Sequence, residues 1–98
     1  MDIIISKSDK PHKKYKIVLD GKKTIYIGQA GASDFLQHKD EERKQRYINR
    51  HKKREQHLWD DPSTPAYWSR WLTWEKKNIR DAINEINKRN NINAKLKL

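Results

Sequence analysis

Tyr15-Lys16-Ile17-Val18-Leu19-Asp20-Gly21-Lys22-Lys23-Thr24-Ile25-Tyr26-Ile27 carries the clearest backbone signal in the chain. Two segments rich in β-branched and aromatic residues flank Asp20-Gly21, and such residues suit a pleated, half-buried surface. Gly accepts positive φ at no steric cost and Asp tolerates it, so the run predicts a β-hairpin. Alternation puts Tyr15, Ile17 and Leu19 on one face and Lys16 and Val18 on the other. Ile25 and Ile27 extend the apolar face from the second strand, with Thr24 and Tyr26 opposite them. An apolar sheet face needs a cover, which the rest of the chain must supply.

Before the hairpin, Asp2–Ser6 reads as a short strand, joined by the polar connector Ser8-Asp9-Lys10-Pro11-His12-Lys13-Lys14. After it, Gly28-Gln29-Ala30-Gly31-Ala32-Ser33-Asp34 reads as a plain turn. The Lys and Ser/Thr of a phosphate loop and the third Gly of a dinucleotide fingerprint are absent. Ser33 or Asp34 is placed to cap a short turn carrying Phe35 and Leu36 inward. Asp40 is a good N-cap for a helix over 40–57, with Glu41 and Glu42 matched to its positive end. On that helix Tyr47, His51, Arg54 and Leu58 share a side, with Ile48 beside them. Gln45, Asn49, Lys52 and Gln56 lie opposite, so the apolar stripe is thin and needs aromatic cover or a partner.

Trp59 to Pro65 forms a turn stiffened by two prolines, and Thr64 before Pro65 is a helix-start signal. The spacing predicts a helix over 65–74 with Tyr67, Trp71 and Trp74 on one face and Trp68 and Leu72 adjacent. Asn78 caps a last helix bearing Ile79, Ala82, Ile83 and Ile86. Asn90-Asn91 is expected to end it, leaving Ile92–Leu98 as a loose tail. The expectation is one α+β domain over 1–98, with 1–13 and 91–98 loosely ordered. In it an N-terminal hairpin, or three short strands if Asp2–Ser6 joins, packs against three helices around a Trp-rich core.

Composition narrows the function. Of 98 residues, 23 are Lys or Arg and 13 Asp or Glu, giving a formal charge of +10. Hydrophobic residues make up only 34%, so four Trp and four Tyr must supply much of the core. With no Cys there is neither a disulfide nor a thiolate metal site. Ile3-Ile4-Ile5 is too short for a signal peptide or a membrane span, so a soluble intracellular protein with no membrane partner is expected. A positive excess of this size favours phosphate backbones or acidic protein faces. Lys-rich composition can also reflect codon bias, since Asn and Ile are abundant as well.

The charge is densest between Lys39 and Arg54, where eight Lys or Arg stand against three acids. Arg43, Lys44, Arg46, Arg50, Lys52, Lys53 and Arg54, with Arg70 further on, are the candidate contacts to nucleic acid or an acidic partner. Guanidinium forks match phosphate geometry. The competing reading is a solvated helix whose Glu41, Glu42 and Glu55 form local pairs. Trp59, Tyr67 and Trp74 are the candidate aromatic anchors, while Trp68 and Trp71 are assigned to the core. Arg70 is expected to stack on a ring or to hold Asp60 or Asp61. His38, His51 and His57 are too scattered for a metal site, and His38 is expected to pair with Asp34 or Asp40. No catalytic residue, metal or other cofactor is expected.

Tyr26-Ile27-Gly28, followed by a helix with Arg and His, resembles half of the GIY-YIG endonuclease signature. The partner strand would read Lys14-Tyr15-Lys16 or Lys16-Ile17-Val18, and Glu75 or Glu85 would have to hold a metal.

A wider resemblance runs from Gly28 to Arg89. It is carried by Gly28-Gln29-Ala30-Gly31-Ala32-Ser33-Asp34-Phe35, His38-Lys39-Asp40, Glu42-Arg43-Lys44, Arg46-Tyr47-Ile48, Arg50-His51-Lys52-Lys53, Asp61-Pro62 and Trp68-Ser69-Arg70-Trp71-Leu72. These words resemble small basic proteins of nucleocytoplasmic large DNA viruses, including mimivirus-like and algal viruses. Where those read Gly-Phe before Trp-Ser-Arg-Trp, this chain has Ala66-Tyr67. The resemblance implies a viral origin, with a place in the virion or the interior of the infected cell, and transfers no activity. Two non-enzymatic roles follow as expectations. One is nucleic-acid binding, DNA ahead of RNA, through the basic helix and without sequence preference. The other is a minor capsid or core protein set between acidic faces of other virion proteins.

Overall fold

The computed structural model describes residues 1–89 and 92–97. Strands β1 (Asp2–Lys7), β2 (Lys13–Leu19) and β3 (Lys23–Gln29) form an antiparallel meander. The predicted hairpin is present, with Ile17 paired to Ile25 and Tyr15 to Ile27. Its turn uses the left-handed conformations expected of Asp-Gly, with φ of 50° at Asp20 and 69° at Gly21. A fourth strand, β4 (Asn93–Lys97), lies parallel to β1, so the order across the sheet is β3-β2-β1-β4.

The crossover from β3 at one edge to β4 at the other contains the helices of the described residues. These are α1 (Phe35–His38), α2 (Glu41–Glu55), α3 (Pro65–Trp68) and α4 (Ile79–Arg89). The cover lies on one face of the sheet. Ile3, Ile5, Ile17, Leu19, Ile25 and Ile27 meet Tyr67, Trp68, Leu72, Ala82, Ile83 and Ile86 in one buried cluster. The architecture is therefore α+β, and the Trp-rich core expected from composition is seen only in part: Ile, Leu and Ala side chains make up most of the cluster, with Tyr67 and Trp68 the large rings inside it.

The start signals act as the sequence predicts. Asp34 caps α1 and exchanges hydrogen bonds with Gln37 in a capping box. The Asp40 carboxylate accepts from the Glu42 and Arg43 amides, the Thr64 hydroxyl from Tyr67, and the Asn78 side-chain oxygen from Asp81.

Two expectations are corrected. The helix expected over 65–74 is regular only through Trp68, and Ser69–Thr73 winds as a π-turn. Indole donors hold it there: Trp68 Nε1 bonds to the Pro62 carbonyl and Trp71 Nε1 to that of Trp59, both at 2.7 Å. These ties to the preceding turn, and burial of Arg70, Leu72 and Thr73 together, favour a wider turn over a one-sided helix.

The ends expected to be loose are instead sheet. Residues 2–7 form an inner strand, and 93–97 pair with it along its length. Ile92 and Ala94 are buried, and the Asn87 side chain bonds both the amide and the carbonyl of Ala94. The expected helix end at Asn90-Asn91, and Leu98 of the expected tail, lie outside the described residues.

Candidate nucleic-acid interface

α2 has little aliphatic surface, and only Tyr47 is buried along its length. It is docked by a column of rings. Tyr47 stacks on Trp74 with centroids 4.4 Å apart and planes 3° from parallel. His51 stacks on the other end at 4.3 Å, and His38 meets Trp74 at 5.2 Å. Burial pushes the Tyr47 phenol well above its usual range, so it stays neutral. The His38 Nδ1 accepts from the Asp40 backbone amide, which places the ring proton on Nε2. The expected pairing of His38 with a neighbouring carboxylate is therefore replaced by a backbone contact. Burial, and then the Arg43 charge, hold the His38 imidazole below its ordinary value.

A charged hub closes the same end. Glu75 accepts from Arg70 Nη1 at 2.8 Å and lies 3.4 Å from Lys44 Nζ, which also donates to the Glu75 carbonyl. Burial raises the Glu75 carboxyl, but Arg70 and Lys44 outweigh it and hold the group below its usual range. Arg70 also lies over the rings of Trp71 and Trp59. Two predicted contacts are thereby corrected: Arg70 is buried, and Lys44 is turned inward onto Glu75. Asp60, one of the acids weighed for Arg70, instead lies near Arg89.

The remaining cations point outward. Arg43, Arg46, Arg50, Lys52, Lys53 and Arg54 are all exposed, and no ion pair involves them among the described residues. At 3.6 residues per turn, Arg43, Arg46, Arg50, Lys53 and Arg54 fall within an arc of roughly 100°. Lys52 stands on another side. Of the acids weighed for local pairs, Glu55 makes one, holding His51 at 2.6 Å, while Glu41 and Glu42 are exposed at the N-terminal turn and hold none of the helix cations among the described residues.

Arg43, Arg46 and Arg50 converge on a hollow of about 210 Å³, completed by Ser33 and Trp74. The i, i+3, i+7 spacing of the three arginines is visible in the sequence. Ser33 is not, because it arrives from the turn after β3. A larger cleft of about 510 Å³ adjoins it, with Lys14, Asp34, His51 and Glu55 in its wall. There Lys14 Nζ pairs with Asp34 at 2.9 Å and ties β2 to the cap of α1.

The anchor assignments are also revised. Trp59 and Tyr67 are buried in the core and offer no surface to a partner, whereas Trp74 is half-buried at the rim of the arginine hollow. Tyr67 packs among the aliphatic residues of the main cluster, and Trp59 is buried beside Arg70.

The groups weighed for a nuclease are not brought together. Tyr26 lies on the sheet face away from the helices and donates to Asp9, while Glu75 and Glu85 pair with cations of the helical side. No helix among the described residues is long and apolar enough to cross a membrane.

No curated protein and no solved structure matches this chain. A model of a family of unknown function, DUF5754, matches residues 3–51, which span β1 to β3, α1 and α2 as far as His51 and include Arg43, Arg46 and Arg50. Those 49 of 98 residues are half of the sequence, and the chain belongs to that family.

Proposed function

We propose that this chain is a non-enzymatic nucleic-acid-binding protein that grips phosphates with the outer face of α2 and reads little or no sequence. The observation that carries this reading is the row of five exposed cations, Arg43, Arg46, Arg50, Lys53 and Arg54, with no carboxylate paired to any of them among the described residues. From Arg43 to Arg54 the helix rises about 16 Å. One strand of a duplex passes about five phosphates over that distance. The arginine hollow beside Ser33 and Trp74 offers forked donors at one phosphate position.

Duplex DNA in a virion or in the infected cell is the setting we propose, with DNA ahead of RNA. The alternative, a wedge between acidic faces of virion proteins, draws on Trp59, Tyr67 and Trp74 as anchors. Two of these are core residues, so the nucleic-acid reading is the better supported.

An electrophoretic shift with duplex and single-stranded DNA at two salt concentrations tests the proposal. Wild-type chain shifts duplex of unrelated sequences alike at low salt. Arg46→Glu, Arg50→Glu and Lys53→Glu combined weaken the shift by about tenfold or more while the circular dichroism spectrum is retained. A shift unchanged by these reversals removes the proposal.

A further inference from the structure

The face of the sheet opposite the helices is uncovered, and among its described residues no side chain is buried. The register across it sets Tyr26, Lys16, Ser6 and Lys97 in one row and Thr24, Val18, Ile4 and Lys95 in the next. Lys95 and Lys97 are exposed, about 6.7 Å apart along β4. Lys10 lies above the Tyr26 ring at 4.3 Å. Asp9 is the acid beside these groups, accepting from Tyr26 at 2.8 Å and lying 3.4 Å from Lys16. Asp2 and Asp20 lie together at the opposite end of the strands, where the Asp20 carboxylate accepts from the Asp2 amide. One half of the face is therefore cationic, and its main aromatic ring is already covered by an ammonium group.

We infer that this open sheet face is a second nucleic-acid surface, so that one copy of the chain bridges two duplex segments. The inference rests on the reading of α2 as the first such surface. Four lysines with no open ring favour phosphate contacts over base stacking. α2 docks on the helical side through Trp74 and Glu75, and the core lies between that side and the outer face of the sheet. A second copy of the chain is a poorer occupant. A two-fold contact on this face would set Lys16, Lys95 and Lys97 against their own counterparts, with only Ile4 and Val18 as apolar area.

The test uses the full chain with two duplexes, one biotinylated on beads and one fluorescent in solution. Wild-type chain retains the fluorescent duplex on the beads at low salt. Lys16→Glu with Lys95→Glu and Lys97→Glu loses that retention, while its affinity for a single duplex in a shift assay stays within about threefold of wild type. The milder pair Lys95→Gln and Lys97→Gln, at exposed edge positions, gives partial loss and guards against misfolding of the triple variant. Retention that survives the triple reversal overturns the second surface, as does retention seen only at concentrations where the free chain sediments as a dimer. The α2 reversals lose the bridging but keep weak duplex binding through the sheet face, and loss of all duplex binding in them overturns the second surface. Absence of any shift by the wild type instead removes the nucleic-acid reading itself.

Discussion

Arg70 is a buried cation whose carboxylate partner is Glu75. Glu75→Gln leaves its guanidinium with a neutral acceptor and removes the anion that turns Lys44 inward. A loss of about 1–3 kcal/mol in a urea titration is expected; an unchanged midpoint would show that the hub is not structural. His38 is expected to make stability depend on pH near neutrality. The unfolded imidazole titrates near 6.5, and burial beside Arg43 sets the folded one lower. Between those values the unfolded chain holds more protons, so stability falls as pH drops through about 6.5 toward the folded value. The urea midpoint is expected to fall between pH 7.5 and 5.5, and to fall less in His38→Gln; an equal fall in both removes this role. The stacking of Arg70 on a ring was legible in the sequence, whereas its pairing and that of Lys44 with Glu75 were not. Their carboxylate lies 31 and 5 residues away, and spacing along one helix cannot report a pair made between elements.

At the scale of elements, α2 behaves as a charged rod held by rings. Its limits, its N-cap and its lack of an apolar stripe were legible, because Asp40, Glu41 and Glu42 are local signals. The means of docking was not. Trp74 reaches Tyr47 only because the π-turn at Ser69–Thr73 ends where it does, and indole bonds to Trp59 and Pro62 set that turn. Trp74→Ala is expected to cost about 2 kcal/mol or more. Hydrogen exchange should then speed up in α2 while β1 and β2 stay protected. Uniform acceleration across the sheet would mean that α2 is part of the core rather than docked on it.

Across the whole molecule, the two ends of the chain meet in the sheet. The tail was expected to be loose, yet Ile92, Ala94 and Leu96 alternate with Asn93, Lys95 and Lys97, a period-2 strand pattern present in the sequence itself. Its partner β1 is nearly the whole chain away, so no local turn marks the pairing. Deleting 92–98 strips the cover from β1 and removes two buried side chains. It is expected to lower stability by about 3 kcal/mol or more, and a truncated chain as stable as the full one would contradict the role given to β4. The same global arrangement leaves the cations of α2 facing outward, and on this the functional account depends. Fluorescence anisotropy of a labelled duplex, recorded across a range of salt concentrations, measures how many phosphates the protein neutralises. Five contacts predict a slope of log affinity against log salt near −4.5, falling toward about −2 when Arg43, Arg46 and Arg50 are changed to Gln. A slope near zero, or one that the three substitutions leave in place, would contradict it.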